Sequence, residues 1–269
     1  MPTIERDGAT IYWEKAGSGP PLVMCSGLGG TASYWKPNIG SLSSRFTLYL
    51  MDQRGTGSSS RVPVESIEQM SADVVAMLDS ENIGQAHFLG HSTGAAIGVA
   101  TALDYGDRLK SLVIYSSTTR GDSYRRNIFD LRKKILANMG PQAYAQFTSI
   151  LLYPPFWHNS HDADLKELES RADISLGNAD VQGSRFQAIL NFDRRRELQN
   201  IRIPVLVMCA NDDILTPRYF SEEFADLIPG CKTRWFERGG HALSQTMTEE
   251  FNQDVIDFME SAERGKTAR

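Results

Sequence analysis

The chain has 269 residues, of which 41% are hydrophobic and 23% charged, and its formal net charge at pH 7 is −5. A chain of this composition can bury a core, which excludes a mainly disordered protein. The length fits one large domain, with or without an inserted segment. The slight acidic excess argues against generic nucleic-acid binding. No apolar run approaches the ~20 residues of a membrane-spanning helix, so we expect no membrane association through such a span.

The cysteines and the first residues bear on the compartment. Cys25, Cys209 and Cys231 cannot all pair within one chain. Cys25 and Cys209 end apolar runs, which indicates buried thiols in a reducing compartment. Because Glu5 and its charged neighbours interrupt any apolar start, we expect no secretion signal and predict a cytoplasmic protein. The sequence leaves the oligomeric state open between a monomer and a dimer.

Predicted strands and helices alternate through the first part of the chain, beginning with a hairpin. In chain order they are strands over 3–6, 9–15, 21–24 and 46–51, a helix over 66–78, a strand over 86–89, a helix over 94–105 and a strand over 111–115. Such alternation predicts an α/β fold whose central sheet is mostly parallel and is flanked by helices.

The alternation stops between residues 118 and 200, where the pattern predicts helices only. These helices are predicted over 127–139, 143–152, 164–171 and 181–191. Alternation then resumes with a strand over 205–210, a helix over 218–227, a strand over 232–236 and a helix over 248–258. We therefore predict a core domain formed by residues 1–117 and 201–269, interrupted by a helical cap over residues 118–200.

A nucleophile motif lies between one predicted strand and the next helix. The segment from Gly90 to Gly94 reads G-x-S-x-G, and in this position it places Ser92 on a sharp turn above the edge of the sheet. A serine hydroxyl needs a general base and an acid that orients the base. Asp213 follows the strand over 205–210, and His241 follows the strand over 232–236. We predict Ser92 as nucleophile, His241 as base and Asp213 as acid.

Two choices in this assignment have alternatives. Asp212 precedes Asp213 directly and stays possible as the acid. Four other histidines are present, namely His87, His91, His158 and His161. His87 is predicted in mid-strand, and the side chain of His91 is expected to point away from the substrate. His158 and His161 have no third ligand at a usable spacing, so we predict no metal site.

An oxyanion hole requires two backbone N–H groups. One is expected from Thr93, which follows the nucleophile. The other should come from the glycine-rich loop after the strand over 21–24, and we choose Leu28 because Gly27 and Gly29 leave its amide accessible. The loop has neither the lysine of a P-loop nor the G-x-G-x-x-G spacing, which argues against phosphate binding.

Together these residues resemble the α/β-hydrolase superfamily over essentially the whole chain. The motifs that carry the resemblance are the segments 26–30, 52–57, 90–94, 210–217 and 239–241. Within the superfamily the chain is similar to the group of 3-oxoadipate enol-lactonases and the aminoacrylate hydrolase of pyrimidine degradation. In these hydrolases the acid usually lies three residues after a small residue at the strand end and four residues before a proline. Counted from Ala210 and Pro217, this position is Asp213. Ser26-Gly27 stands where many relatives have His-Gly.

The resemblance implies a capped serine hydrolase that needs no cofactor. It implies a small-molecule carboxylic ester or lactone as substrate, with an N-acyl-homoserine lactonase, an enol-lactonase or an aminoacrylate- or carbamate-type C–N hydrolase as narrower alternatives. Cofactor-free oxygenation, perhydrolysis and a ligand receptor on the same fold are further alternatives.

The cap is expected to shape the acyl pocket. Its predicted lining is apolar: Phe147, Leu151, Phe156 and Trp157. The alternative is that these side chains pack the cap helices together. The cap has 12 Lys and Arg against 10 Asp and Glu, a bias too small to predict an anionic substrate.

Overall fold

The computed structural model describes residues 2–170 and 179–267, and its centre is one eight-stranded sheet. The strands are β1 (Thr3–Arg6), β2 (Ala9–Ala16), β3 (Pro21–Cys25), β4 (Thr47–Asp52), β5 (Ala86–His91), β6 (Leu109–Tyr115), β7 (Val205–Ala210) and β8 (Lys232–Phe236). Their order in the sheet is β1-β2-β4-β3-β5-β6-β7-β8. β2 runs antiparallel to both of its neighbours, and every other pair is parallel. The predicted α/β fold with a mostly parallel sheet is confirmed.

The described residues form ten α-helices, and helices outside the segment that joins β6 to β7 cover both faces of the sheet. The ten are α1 (Lys36–Ser43), α2 (Ile67–Ser80), α3 (Thr93–Asp104), α4 (Ser123–Leu152), α5 (Pro155–Ser160), α6 (Asp162–Ser170), α7 (Ala179–Asn191), α8 (Tyr219–Leu227), α9 (Leu243–Thr246) and α10 (Thr248–Thr267). Alternate residues of a strand face opposite sides of the sheet. In β3, Val23 and Cys25 therefore join the core under α2 and α3, whereas Leu22 and Met24 join the core under α1 and α10.

Helix ends follow local chemistry. The Ser66 side chain accepts a hydrogen bond from the Gln69 amide and starts α2, as the capping pattern predicts. α4 begins four residues before the predicted helix because Asp122 caps it through the Arg125 amide. The break predicted near residue 140 is present as a kink, where Gly140 has φ 86° and Pro141 follows.

We call residues 116–204 the insertion, because they join β6 to β7. Their described part, 116–170 and 179–204, contains α4 to α7 and a 3-10 helix (Arg195–Asn200) and no strand. Residue 171, the last of one predicted helix, lies outside the described residues. Among the described residues, every helix is too short or too polar to cross a membrane.

The close approach of α3 to β3 depends on Gly94. A Cβ at this position would lie 2.0 Å from the Cys25 carbonyl oxygen, so any side chain would push the start of α3 away from the sheet. We expect Gly94→Ala to lower the free energy of unfolding by about 1–3 kcal/mol, measured by urea unfolding. Gly106→Ala is the control, since a Cβ there would meet nothing within 4 Å. Equal unfolding midpoints for the two variants would contradict the steric argument.

Candidate active site

Ser92 lies on the turn between β5 and α3, in a strained conformation with φ 53° and ψ −114°. Neighbouring glycines make this turn possible, because a Cβ at Gly90 would lie 2.4 Å from the Cα of Ala95. The Ser92 carbonyl accepts hydrogen bonds from the Ala96 amide, at 3.2 Å, and from the Ser117 hydroxyl, at 2.8 Å. A residue with positive φ persists only when its surroundings fix it, and these contacts present the Ser92 side chain at the edge of the sheet.

Asp213 and His241 form a buried hydrogen-bonded pair. Nδ1 of His241 lies 2.9 Å from Oδ2 of Asp213, and both side chains are almost fully buried. The remaining capacity of the carboxylate is filled by Thr216, whose hydroxyl donates to Oδ2 and whose amide donates to Oδ1, and by the Leu215 amide. This arrangement orients the imidazole so that Nδ1 carries the proton.

The surroundings of Asp213 favour its ionised form. Burial alone would raise its pKa, but the charge of a protonated His241 and the hydrogen bonds from His241 and Thr216 outweigh burial and lower the pKa below the usual value. The carboxylate therefore stays negative beside the imidazole and stabilises an imidazolium when one forms.

Asp212 has a different position. Its Oδ1 accepts a hydrogen bond of 2.8 Å from the amide of Gly240, the residue before His241. Of the two adjacent carboxylates, the structure brings Asp213 against the imidazole, while Asp212 fixes the backbone of the loop that carries it.

Ser92 and His241 line the same cavity, which has a volume of about 220 Å³. Within the described parts of the chain, no hydrogen bond joins the Ser92 hydroxyl to the imidazole. Such bonds are often long in ligand-free sites and shorten when substrate binds. The geometry brings the two side chains to one cavity and leaves this last contact unmade.

Two backbone amides next to this cavity are available as donors. Leu28 and Thr93 both line it, and the amide of neither donates to another described residue. The loop around Leu28 is held from within, since Gly30 donates to the Gly27 carbonyl and the Ser26 hydroxyl donates to the Thr31 carbonyl. Ser26 thus makes a hydrogen bond inside the loop.

A buried arginine of the insertion fixes the same loop from outside. Arg185, in α7, donates from Nε and Nη2 to the Leu28 carbonyl, at 3.2 and 3.0 Å. It also donates to the Arg54 carbonyl and to Oε1 of Gln53, and Gln53 in turn donates to the Ser26 carbonyl. Burial lowers the pKa of Arg185 to about 10, so it stays charged at neutral pH. Its three nitrogens are all engaged by these acceptors.

The comparisons with known proteins agree with this architecture. A family model described as the alpha/beta hydrolase fold matches residues 20–244. The chain belongs to the α/β-hydrolase family. A putative carbamate hydrolase RutD from Azorhizobium caulinodans is 35% identical over 259 residues, covering 96% of this chain and 98% of that protein.

Two solved hydrolase structures are similar at lower identity. The enol-lactonase from Burkholderia xenovorans LB400 has a TM-score of 0.86 and 24% identity, over 96% of this chain and 100% of its own. A thermophilic esterase from Thermogutta terrifontis has a TM-score of 0.80 and 21% identity, over 97% of each chain. At these identities the similarity shows the shared fold.

His91 differs from the sequence expectation, because it lines the cavity of this hydrolase rather than pointing away. Its ring is stacked between Tyr34 and Tyr115, with centroids 4.8 and 4.4 Å apart, and its Nε2 lies 3.1 Å from the His241 carbonyl oxygen. Burial and the neighbouring His241 keep the pKa of His91 well below its usual value. A neutral His91 does not oppose the positive charge that His241 would acquire as a base.

The four apolar side chains that were predicted to line the acyl pocket lie elsewhere. Phe147, Leu151, Phe156 and Trp157 do not line this cavity. Trp157 stacks on His161 with centroids 3.7 Å apart, and Phe156 lies under the Arg238 guanidinium. Leu151 lines a separate cavity together with Asp212 and Gly240.

The helix geometry explains the error. After the kink, the face of α4 toward this cavity is formed by Tyr144, Thr148 and Leu152, spaced four residues apart. Phe147 and Leu151 each precede a member of this set, and one residue corresponds to about 100° around a helix. The apolar residues therefore lie on the neighbouring face.

Two charged residues of the cavity were not predicted from the sequence. Arg125 and Arg132 line it together with Phe129, at the i, i+4, i+7 spacing of one helix face. That spacing was visible in the sequence, but charged residues on a helix usually face solvent. Gln182 of α7 lines the cavity as well.

The lowered pKa of Asp213 predicts how the free energy of unfolding depends on pH. Because its pKa is lowered on folding, its ionisation stabilises the protein above the ordinary aspartate pKa of about 3.9, and this contribution is lost as the pH falls through the folded value. We expect the difference in free energy of unfolding between the wild type and Asp213→Asn to be largest above about pH 4 and to shrink below it, as measured by urea unfolding from pH 3 to 7.

Asp130→Asn, which alters an exposed side chain on α4, is the control and should show a small difference at every pH. A wild-type advantage over Asp213→Asn that grows on acidification would contradict the assignment of a lowered pKa.

Proposed function

We propose that this hydrolase cleaves a small carboxylic ester or lactone by transferring the acyl group first to Ser92 and then to water. The observation that carries the proposal is a convergence on one cavity. The strained turn presents Ser92, the Asp213–His241 pair presents an oriented imidazole, and two unused amides face the same space. Nucleophile, base and oxyanion donors are the groups that acyl transfer requires.

In the proposed mechanism, Nε2 of His241 accepts the Ser92 proton while the Ser92 oxygen attacks the carbonyl carbon. Asp213 holds the imidazole in the Nδ1–H tautomer and stabilises the imidazolium. The Leu28 and Thr93 amides donate to the oxyanion, and collapse expels the alcohol, or the ring oxygen of a lactone, which takes the proton from His241. Water then attacks the acyl-enzyme by the same steps and releases the carboxylic acid.

The cavity size supports a small substrate. Its volume of about 220 Å³ is below the ~300–1,000 Å³ of typical ligand pockets. Because the insertion supplies Tyr144, Thr148 and Leu152 to its wall, we also propose that residues 118–200 act as a cap on a catalytic domain formed by 1–117 and 201–269.

Carbamate hydrolysis is the second candidate. The relative named a putative carbamate hydrolase RutD aligns over nearly the full length of both chains. Attack on the carbonyl of a carbamate ester uses the same nucleophile, base and oxyanion donors, and it expels the alcohol and leaves a carbamoyl group on Ser92. Water then releases a carbamic acid, which loses CO2 and yields an amine that no ester or lactone produces. A substrate panel of matched esters, lactones and N-alkyl carbamates, followed by detection of alcohol or amine, separates the two candidates.

Replacement of the nucleophile tests the proposal directly. We expect Ser92→Ala to lower kcat for p-nitrophenyl acetate by at least roughly 10³-fold, because no other group can form the acyl-enzyme. A fluorophosphonate should label Ser92 covalently in the wild type, as read by mass spectrometry of the modified peptide. Ser41→Ala, on the exposed side of α1, should keep wild-type turnover. Turnover by Ser92→Ala close to that of the wild type would overturn the mechanism.

Arg185 is predicted to act by positioning the Leu28 amide. We expect Arg185→Met to lower kcat for p-nitrophenyl acetate by roughly 10- to 100-fold, since a displaced oxyanion donor weakens transition-state binding, with a much smaller change in KM. Arg185→Lys should recover part of kcat. Circular dichroism at the assay temperature verifies that the variants are folded. A folded Arg185→Met enzyme with unchanged kcat would exclude the positioning role.

A further inference from the structure

The imidazole of His91 is buried beside the reacting groups and carries an unsatisfied nitrogen. His91 is the last residue of β5, directly before Ser92, and it is only 2% exposed. Nδ1 of its ring is buried and has no hydrogen-bond partner among the described residues. A buried polar atom without a partner costs free energy, whereas a phenylalanine ring of similar size would avoid this cost. The presence of an imidazole at this position therefore requires an explanation.

Two tyrosine rings limit the orientation of this imidazole. Tyr34 and Tyr115 each lie nearly parallel to the His91 ring, with interplanar angles of 10° and 14°. The hydroxyls of the two tyrosines are hydrogen-bonded to each other, and that of Tyr115 also bonds the Ser244 hydroxyl at 2.9 Å. Closely packed rings cannot turn without displacing their neighbours. The direction in which Nε2 of His91 points is therefore fixed.

Nε2 points to the loop that carries the proposed base, which we call the His241 loop (residues 237–242). The nitrogen lies 3.1 Å from the His241 carbonyl oxygen. Because a carbonyl oxygen can only accept, Nε2 of His91 must carry the proton and donate it. Among the described residues, no backbone amide donates to this carbonyl. The side chain of His91 therefore supplies a hydrogen bond that the backbone does not provide.

The imidazole of His91 is neutral in this arrangement. A second proton, on Nδ1, would create a buried cation with an N–H group that has no acceptor among the described residues. Burial and the neighbouring His241 both keep the pKa of His91 well below its usual value. His91 therefore adopts the neutral tautomer with the proton on Nε2, and it remains a donor when His241 takes up a proton.

The other nitrogen of the ring faces the glycine-rich loop. A Cβ at Gly27 would lie 3.0 Å from Nδ1 of His91 and 3.3 Å from Cβ of Ser92, so the backbone of this loop packs closely on both residues. Gly27 directly precedes Leu28, to whose amide we assign an oxyanion role. The imidazole thus bridges the loop of a proposed oxyanion donor and the loop of the proposed base.

The bond from His91 differs from the other anchors of the His241 loop. The residues on either side of His241 are held by their amides, which donate to Asp212 at 2.8 Å and to the Leu152 carbonyl at 2.9 Å. These two anchors connect the loop to the acid loop and to the insertion. The bond from His91 acts on His241 itself and joins it to the residue next to Ser92.

We propose that His91 is a positioning residue, whose hydrogen bond to the His241 carbonyl holds the base at the distance from Ser92 that proton transfer requires. This inference rests on the proposed acyl-transfer function. Proton transfer needs the two groups within hydrogen-bond reach, and a misplacement of about 1 Å can cost ~100-fold in rate. Since no hydrogen bond among the described residues joins the Ser92 hydroxyl to the imidazole, the backbone that carries them sets their separation.

Two substitutions separate the donor from the ring. His91→Phe keeps an aromatic ring but removes the donor, and His91→Gln provides an amide N–H in place of Nε2–H but removes the ring. We expect His91→Phe to lower kcat for p-nitrophenyl acetate by roughly 10- to 100-fold. Because His241 acts in both acylation and deacylation, kcat/KM should fall equally and KM should change little. His91→Gln should recover part of kcat, and equal kcat in the two variants would overturn the proposal.

Nuclear magnetic resonance tests the arrangement without turnover. With nitrogen-15-labelled histidine, the wild type should show a neutral His91 whose Nε2 carries the proton, identified by its absence from the spectrum of His91→Phe. The proton on Nδ1 of His241, in the bond to Asp213, should give a low-field resonance in the wild type. This resonance should move upfield in His91→Phe and stay in place in His91→Gln, because only the latter keeps the donor.

A histidine elsewhere in the chain provides the matched control. His161 lines neither the catalytic cavity nor the cavity at Asp212, and its ring stacks on Trp157, a contact that phenylalanine can keep. His161→Phe should therefore keep the wild-type kcat and the low-field resonance of His241. Circular dichroism at the assay temperature verifies that each variant is folded.

The outcomes separate the inference from the function on which it rests. A folded His91→Phe enzyme with wild-type kcat and an unchanged low-field resonance overturns the positioning role and leaves the hydrolase mechanism intact. A wild-type His91 that carries its proton on Nδ1 does the same. If a fluorophosphonate fails to label Ser92 while the His241 resonance still depends on His91, the mechanism is wrong and the link between the two histidines stands.

Discussion

The close contact between the start of α3 and the end of β3 is the constraint on which the site depends. Gly94 packs against the Cys25 carbonyl, and this contact fixes both Ser92 and the amide of Thr93. The glycine-rich loop begins at the next residue, Ser26, so the same contact brings the Leu28 amide beside the turn. The proposed nucleophile and both proposed oxyanion donors therefore depend on one steric fit that only glycine permits. A small displacement of α3 would move all three together.

The insertion contributes to the site as more than a cover, because it is bonded to three loops of the sheet domain. Arg185 holds the Leu28 carbonyl, Arg125 holds the Leu215 carbonyl, and the Leu152 carbonyl accepts from the Ala242 amide. These loops carry Leu28, Asp213 and His241, to which we assign the roles of oxyanion donor, acid and base. A displacement of the insertion would therefore reach these groups through the backbone of the three loops.

Elements that depend on neighbouring residues could be predicted from the sequence, whereas elements that depend on contacts between distant residues could not. β7 and β8 have the predicted bounds because each is a continuous apolar or alternating run with its own turn signals. The helix over Lys36–Ser43 was not predicted, since proline and glycine interrupt its pattern. It is held by distant contacts, among them the hydrogen bonds of Asn38 to Ser244 and Asn252. Contacts of this kind carry no local signal.

The same distinction explains the cavity wall. Apolar residues of the insertion were predicted to face the substrate, but apolar side chains also pack helices against one another, and Trp157 packs against a buried cluster that includes Leu165 of α6. The G-x-S-x-G turn was predictable because its steric requirement is contained in five residues. Which face of α4 turns toward Ser92 is decided by a kink at Gly140 and by contacts more than fifty residues away, such as that of Arg125 with Leu215.

Net charge is a poor guide to what this cavity attracts, because the effect of a charge depends on its burial. The insertion has nearly equal numbers of positive and negative residues, yet the electrostatic effects of these residues differ. Arg194 and Arg195 are matched by Asp104, Glu197 and Asp193 near the surface, where water also screens them. Arg125 and Arg132 are desolvated and lack such partners, so their field is both less screened and directed into an enclosed space. A chain with a net charge of −5 can therefore place two cationic side chains in the wall of one cavity. The sign of the local potential follows from two buried side chains and not from the sum over the sequence.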